Sequence, residues 1–408
     1  MIRKYPVHFI LLLAVFAGWL LLSFYNVLVD DDIVMLRSVK ESGIIGATIG
    51  QYNTWNTRWM SFLLLHSWMY FWDVHSSPLL YHLITLSFLL LSFRRLVVAL
   101  SSKGWINASS NAAVLVYSSL LSAALIVATY HIGDTWFWVN TSTMYGWNLI
   151  AIVFAASLTW LPLKQTLMQK ILLLFSGLYV GGAAEPAVAC LLLLLPAVIY
   201  FNKYENKQEK LSILLFLIGM VVSFSIALAG EGHGKRAAAL PDPGGLGLIV
   251  KGAYFSAKIA LFHSPLRVMM VLVLLFPLFE RTQTATQVNV ISDTGKVVLA
   301  WTTVILLQTF FITYIMGDYG PERAWSFLSL WTVCVGAWWL YRCGYLIPSV
   351  WKKVFSYAAG VMILIVFCYQ IKTIPTYSAY VKNIRNKEVQ FDSKKVPDAG
   401  LLHKISFE

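Results

Sequence analysis

The sequence predicts an all-α integral membrane protein, and three observations carry that reading. First, 58% of the 408 residues are hydrophobic and only 12% are charged, where a soluble domain carries about 25% charged residues. Second, residues 7–29 form an apolar run of about 23 residues, broken only by His8, which is long enough for a hydrocarbon core of roughly 30 Å. Third, further apolar runs follow, separated by short polar breaks in which Lys and Arg gather. The net charge of +12 fits cytoplasmic loops that collect Lys and Arg, so it does not indicate nucleic acid. Cys190, Cys334, Cys343 and Cys368 lie in or beside apolar runs with no metal-ligand spacing, as expected of buried apolar residues. The first run exceeds a signal-peptide core and no small-residue cleavage site follows it, so it reads as a retained span.

Taken in order, Arg3 and Lys4 place the start of the first span in the cytoplasm. The span ends at Asp30-Asp31-Asp32 on the outer side. Residues 33–51 read as an amphipathic helix on the outer surface, loosened by Gly43, Gly46 and Gly50. Residues 58–72 are too few to cross and read as a re-entrant or interfacial helix. Residues 79–100 cross inward to Arg94, Arg95 and Lys103, residues 112–130 cross outward, and 145–161 return. A Trp-rich outer loop covers 131–140. Residues 171–201 are too long for one span and are interrupted at Gly181-Gly182-Ala183-Ala184-Glu185-Pro186, which predicts a pair of helices meeting there. Residues 211–229 cross outward, and 246–262, which contain Lys251 and Lys258, read as interfacial. Spans at 265–279, 297–316, 325–341 and 355–371 complete the bundle. The total is about eleven spans, making residues 1–372 a single membrane domain with outer loops at 30–78 and 230–264. Residues 373–408 form a charged tail assigned to the outside.

The unusual polar residues fall on one predicted side. They are Asp30, Asp31, Asp32, Arg58, His75, the loop carrying Asp134, Trp138 and Tyr145, Glu185 at the helix break, His233, Lys235, Arg236 and Arg323. Repulsion among three adjacent carboxylates, or partial burial, raises a carboxylate toward the range of a general base. Arg and Lys can stabilise a departing phosphate, and Trp and Tyr can stack on sugars or isoprenoid. Such a set suits glycosyl transfer from a lipid-phosphate donor, and no Gly-rich nucleotide-sugar turn is visible. Plainer roles stay open: snorkelling for Arg58 and Arg323, and an interfacial belt for Trp136, Trp138 and Trp147. Glu185 is the hardest to explain without function, because a carboxylate in apolar sequence is costly. His66, His75 and His82 recur irregularly and do not read as metal ligands.

This arrangement resembles the GT-C superfamily of membrane glycosyltransferases, in which an acidic motif follows the first span and outer juxtamembrane helices come next. It is most similar to a bacterial membrane family of unknown function within that group. The residues carrying the resemblance are Asp31-Asp32, Asn56-Thr57-Arg58, Trp138 with Tyr145-Gly146-Trp147, Gly182-Ala183-Ala184-Glu185, and Gly232-His233-Gly234-Lys235-Arg236. They occur in the family's order over roughly the first 325 residues. The chain departs from the pattern at Asn56-Thr57-Arg58, where Gly-Arg is expected, and at the Gly-His-Gly loop, which is one residue out of step. The resemblance implies an inverting transfer of sugar from a polyprenyl-phosphate donor to a glycan, lipid or protein acceptor; no cofactor is expected, and the need for a divalent metal is left open. It also implies an outer-side active site in a bacterial inner membrane. Asp31 aligns with the base and Asp32 with its supporting partner, because the family's acidic pair precedes an apolar residue as Asp32 precedes Ile33. Asp30, Arg58, Trp138, Tyr145, Glu185, His233, Lys235, Arg236 and Arg323 are the expected substrate-binding residues. The alternatives are a glycan polymerase or ligase, and a non-catalytic transporter or flippase of lipid-linked sugars.

Overall fold

The computed structural model describes residues 6–28, 31–54, 56–73, 76–161, 165–201, 207–232, 235, 245–279, 290–316, 320–343 and scattered positions from 350 to 361. Among these residues the chain is helical and contains no strand. Seven helical stretches are long and apolar enough to cross a membrane: His8–Tyr25, Leu79–Ser102, Asn111–Ala128, Val139–Thr159, Lys207–Ala229, Gly247–Phe279 and Ser292–Ile315. The chain is therefore a multi-pass α-helical membrane protein.

Among the described residues the expected count of about eleven is not reached, for identifiable reasons. The predicted pair at 171–201 is present as α7 (Leu167–Gly181) and α8 (Glu185–Phe201), separated at Gly182-Ala183-Ala184. Their 15 and 17 residues give lengths of roughly 23 and 26 Å, short of a full crossing. The helix Ser326–Cys343 (α13) is long enough, but its Ser, Trp, Tyr and Arg side chains leave it less apolar than the seven. The predicted span at 355–371 and the tail at 373–408 lie outside the described residues. The predicted interfacial stretch and the span after it form one apolar run, made of α10 (Gly245–Lys258), a π-helical turn (Ile259–His263) and α11 (Ser264–Phe279).

The remaining helices set two ends for the bundle. They are α1 (Pro6–Tyr25), α2 (Asp31–Thr54), α3 (Trp59–Tyr70), α4 (Leu79–Ser102), α5 (Asn111–Ala128), α6 (Trp147–Thr159), α9 (Lys207–Ala229) and α12 (Val290–Met316). At one end Lys103, after α4, pairs with Glu209 at the start of α9. At that same end Arg342, near the end of α13, pairs with Asp293 near the start of α12 at 2.9 Å. The opposite end of α4 meets the turn after α5, where Tyr81 donates to Ser142 at 3.0 Å. The opposite end of α13 follows Arg323, which pairs with Asp134. All the candidate residues described below gather at this second end.

α2 and α3 form a separate small layer there. α2 starts with two carboxylates, which favour a helix N-terminus, and bends at Gly43, whose φ of 71° disfavours any residue with a Cβ. Leu28, Met35, Leu36 and Val39 pack with Phe62, Leu65, Met69 and Tyr81. The 12 residues of α3 agree with the expected short, non-crossing helix. Met60 N–H donates to the Gly182 carbonyl at 3.2 Å, which joins this layer to the break between α7 and α8.

Helices α7 and α9 approach backbone to backbone. A Cβ added at Gly177 would lie 2.1 Å from the Phe216 carbonyl oxygen, one at Gly181 2.2 Å from Met220 O, and one at Gly219 2.3 Å from Leu174 O. Small residues at such a crossing permit the close packing that holds helices together where lipid supplies no hydrophobic drive. Gly177→Ala or Gly219→Ala is expected to lower stability by about 1–3 kcal/mol, the usual cost of forcing atoms into a packed interior. Thermal unfolding in detergent measures this, and an unchanged midpoint in both variants would refute the contact.

His66 of α3 lies buried against α2, with Nδ1 2.8 Å from the Thr48 hydroxyl and its ring stacked on Phe62. Burial lowers its pKa from 6.5 to about 4. Between those values an unfolded chain binds a proton that the folded chain does not, so stability rises with pH across that window. The unfolding midpoint is expected to fall as pH drops from about 6.5 to about 4, and His66→Phe is expected to shallow that dependence. An equally steep fall in the variant would remove His66 as the cause.

Candidate functional site

The stretch from His131 to Gly146 is the hub of the site. Instead of the loop expected over 131–140, it forms two π-helical turns, Gly133–Phe137 and Ser142–Gly146, around a short helical segment, Val139–Thr141. Its side chains alternate in function. Trp136, Phe137 and Val139 are buried apolar residues, and the Trp136 indole donates to Thr129 at 3.0 Å. Thr141 donates to the Asp134 carbonyl, and Thr143 to the Asn140 carbonyl at 2.7 Å. Asn26, just past α1, donates to the Phe137 carbonyl at 2.5 Å. Polar groups buried at the end of a membrane bundle need such partners.

Asn140 binds both carboxylates at the start of α2. Its backbone N–H donates to Asp32 Oδ1 at 2.8 Å, and its Nδ2 donates to Asp31 Oδ2 at 3.3 Å. Asp32 is fully buried, whereas Asp31 is exposed. The two adjacent residues therefore differ in role. Asp32 is committed to the hub, while Asp31 is held on one side and open to solvent on the other. Both sit in the first turn of α2, where the helix dipole favours negative charge.

Arg58 lies just before α3 and is buried with Glu185, the first residue of α8. Its Nη2 is 2.6 Å from Glu185 Oε2, and its Nε donates to the same oxygen at 2.7 Å. Nη1 donates to the Tyr145 hydroxyl at 3.2 Å and contacts Met144 Sδ at 3.2 Å. Burial opposes the guanidinium charge, but Glu185 and Tyr145 more than offset it, so the arginine pKa is raised. The pair lines a cavity of about 30 Å³ with Tyr145, Pro186, Ile312, Ile315, Pro321 and Ala324. Glu185 thus faces a cavity rather than the outside of the bundle. Space of that size suits one or two water molecules.

Asp134 forms the third cluster. It pairs with Arg323 at 2.9 Å and with His131 Nδ1 at 3.1 Å. Burial pushes its carboxyl upward, yet His131 and Arg323 overcome this and hold it below the ordinary carboxylate range. The Arg323 guanidinium also lies over the Trp138 ring, 5.0 Å from its centroid, a geometry that favours the cation.

The hub therefore brings together Asp31, Asp32, Arg58, Trp138, Tyr145, Glu185 and Arg323. Lys235 lies apart from the cavity, donating to the Asn53 carbonyl at 2.8 Å and pairing with Glu231 at 3.3 Å. Asp30, His75, His233 and Arg236 fall outside the described residues. Among the described residues no group of His, Cys, Asp and Glu could hold a metal ion. Asn140 and His131 were not among the expected site residues. The available signal was the density of polar residues from Thr135 to Thr143 inside an otherwise apolar chain.

Leaving one member of a buried ion pair without the other typically costs about 3–5 kcal/mol. Glu185→Gln is therefore expected to lower the unfolding midpoint well below that of the wild type. The double variant Arg58→Met/Glu185→Leu is expected to recover most of the loss. If the double variant is the less stable of the two, the pair is not the source of the effect.

Compared with protein-family models, curated proteins and solved structures, the chain matches none.

Proposed function

We propose that this chain is a GT-C-type membrane glycosyltransferase that moves a sugar from a polyprenyl-phosphate donor to a glycan, lipid or protein acceptor of the cell envelope. The observation that carries the reading is Asp31, an exposed carboxylate directly after the first apolar helix, held by Asn140 at the end of the bundle where Arg58, Glu185 and Arg323 also meet. In this reading Asp31 takes the proton of an acceptor hydroxyl. The hydroxyl oxygen attacks the anomeric carbon, the bond to the phosphate oxygen breaks, and the lipid phosphate leaves with the electron pair. Asn140 keeps one Asp31 oxygen occupied, so the other is the one offered to the acceptor. Asp32 anchors the turn that carries both.

The charge distribution supports an outward-facing site. Arg94, Arg95, Lys103, Lys207, Lys210, Lys296 and Arg342 belong to the opposite end, which by the positive-inside bias faces the cytoplasm. The location that follows is a bacterial inner membrane, with Asp31 on its outer side.

A carrier of lipid-linked sugars is the second reading. What favours it is the helix break at Gly182-Ala183-Ala184 with a buried charge pair beside it, because discontinuous helices often build transport sites.

Reconstituted protein offered polyprenyl-phosphate sugars and a panel of envelope acceptors tests both readings. Asp31→Asn is expected to reduce transfer about 10²–10⁴-fold, the usual loss on removing a general base, without altering the unfolding midpoint. Asn140→Ala is expected to reduce transfer less, with a changed pH profile. Near-normal transfer by Asp31→Asn would end the catalytic reading. Movement of lipid-linked sugar across vesicles with no transfer product would favour the carrier.

A further inference from the structure

Three cationic or titratable side chains fall within ten residues where α10 passes into α11. Lys258 closes α10, His263 ends the π-helical turn, and Arg267 lies in the first turn of α11. Arg267 donates to the Tyr130 carbonyl at 3.0 Å and to the His263 carbonyl. Its guanidinium also lies 4.4 Å from the centroid of the Tyr130 ring, and the Tyr130 and Ser264 hydroxyls are 2.6 Å apart. Lys258, Arg267 and Glu322 all lie within electrostatic reach of His263. Two fixed cations beside one carboxylate leave the turn positive.

The place of this cluster in the bundle is informative. Tyr130 directly precedes His131 of the hub, and Glu322 directly precedes Arg323. The turn is therefore at the same end as the candidate site and adjoins it. Ile259 is buried in the turn, whereas Leu261 and Phe262 are 68% and 78% exposed. Leu266, one turn on, is also exposed. Positive groups at the end of a membrane bundle, flanked by outward apolar side chains, match an anionic headgroup whose hydrocarbon lies alongside. A purely structural role would have Arg267 satisfy two carbonyls. That uses two of its five N–H groups. π-helical turns inside longer helices also recur at functional sites.

We infer that the turn from Lys258 to Arg267 is a site for the phosphate group of an anionic lipid. Arg267 and Lys258 hold the phosphate oxygens, His263 donates a further hydrogen bond, and the chain of the lipid runs along Leu261, Phe262 and Leu266. The inference rests on the proposed glycosyltransferase function only in naming a polyprenyl phosphate as the occupant that matters for transfer. The binding site itself is tested without any transfer assay.

Protein purified in a neutral detergent is titrated with farnesyl phosphate, phosphatidylglycerol, inorganic phosphate and farnesol, and its unfolding midpoint is followed. Farnesyl phosphate is expected to raise the midpoint saturably, while farnesol and inorganic phosphate leave it unchanged. Lys258→Gln and Arg267→Lys are each expected to weaken that binding by about tenfold, equivalent to roughly 1.4 kcal/mol. Lys258→Gln guards against misfolding, because Arg267 also braces Tyr130. An equal response to phosphatidylglycerol supports a general anionic-lipid site, and a preference for farnesyl phosphate supports a donor site. A response to inorganic phosphate as strong as that to either lipid overturns the lipid assignment. Wild-type affinity in both variants, or no response to either lipid, overturns the site. Absence of sugar transfer would count against the proposed function and leave this binding result standing.

Discussion

The ion pair between Arg58 and Glu185 is the constraint on which the rest of this end of the molecule depends. It connects three stretches far apart in sequence: the entry to α3, the start of α8, and through Tyr145 the turn before α6. Each charge is nearly sealed from solvent, with side-chain exposures of 9% and 12%, so neither is stable there without the other. The break between α7 and α8 is thereby explained. A continuous helix would bury the backbone groups of Gly182–Ala184 in its own ladder. The break instead frees the Gly182 carbonyl to accept from Met60 and turns Glu185 toward Arg58.

The hub from His131 to Gly146 distributes that order to the acidic end of α2. Two π-helical turns in one short stretch are a dense use of an unusual conformation. Their effect is to aim neighbouring residues in directions a regular helix would not allow. Asp134 reaches Arg323, Asn140 reaches Asp31 and Asp32, and Tyr145 reaches Arg58. Three charge clusters are thus organised by one segment, and among their charged side chains Asp31 is the one classed as exposed rather than buried or half-buried.

Much of this was legible in the sequence, and the limits have physical causes. The membrane class, the short α3, the helix break at Gly181–Pro186 and the gathering of Asp31, Arg58, Tyr145, Glu185 and Arg323 at one end follow from apolar run lengths and charge placement. The number of crossings did not follow, because run length cannot separate a helix such as α7, which stops short, from one that completes the passage. The partners of each charge were also hidden. Sequence shows that Glu185 needs a reason to sit in apolar surroundings. It does not show that Arg58, more than a hundred positions earlier, supplies it. Asn140 was missed because a neutral amide attracts no notice until its geometry is seen. The direction of its two N–H groups, not its chemical type, makes it important.

The glycine contact between α7 and α9 has a mechanical consequence. With Gly177, Gly181 and Gly219 pressed against carbonyl groups of the facing helix, the two helices cannot slide or part without losing atomic contact along their length. They act as one stiff post, and Glu185 is mounted four residues past its upper end. The other wall of the small cavity is made by Ile312, Ile315, Pro321 and Ala324, which belong to the end of α12 and the turn after it. Widening the cavity to admit a larger guest therefore falls to its other walls, with the post as a fixed jamb.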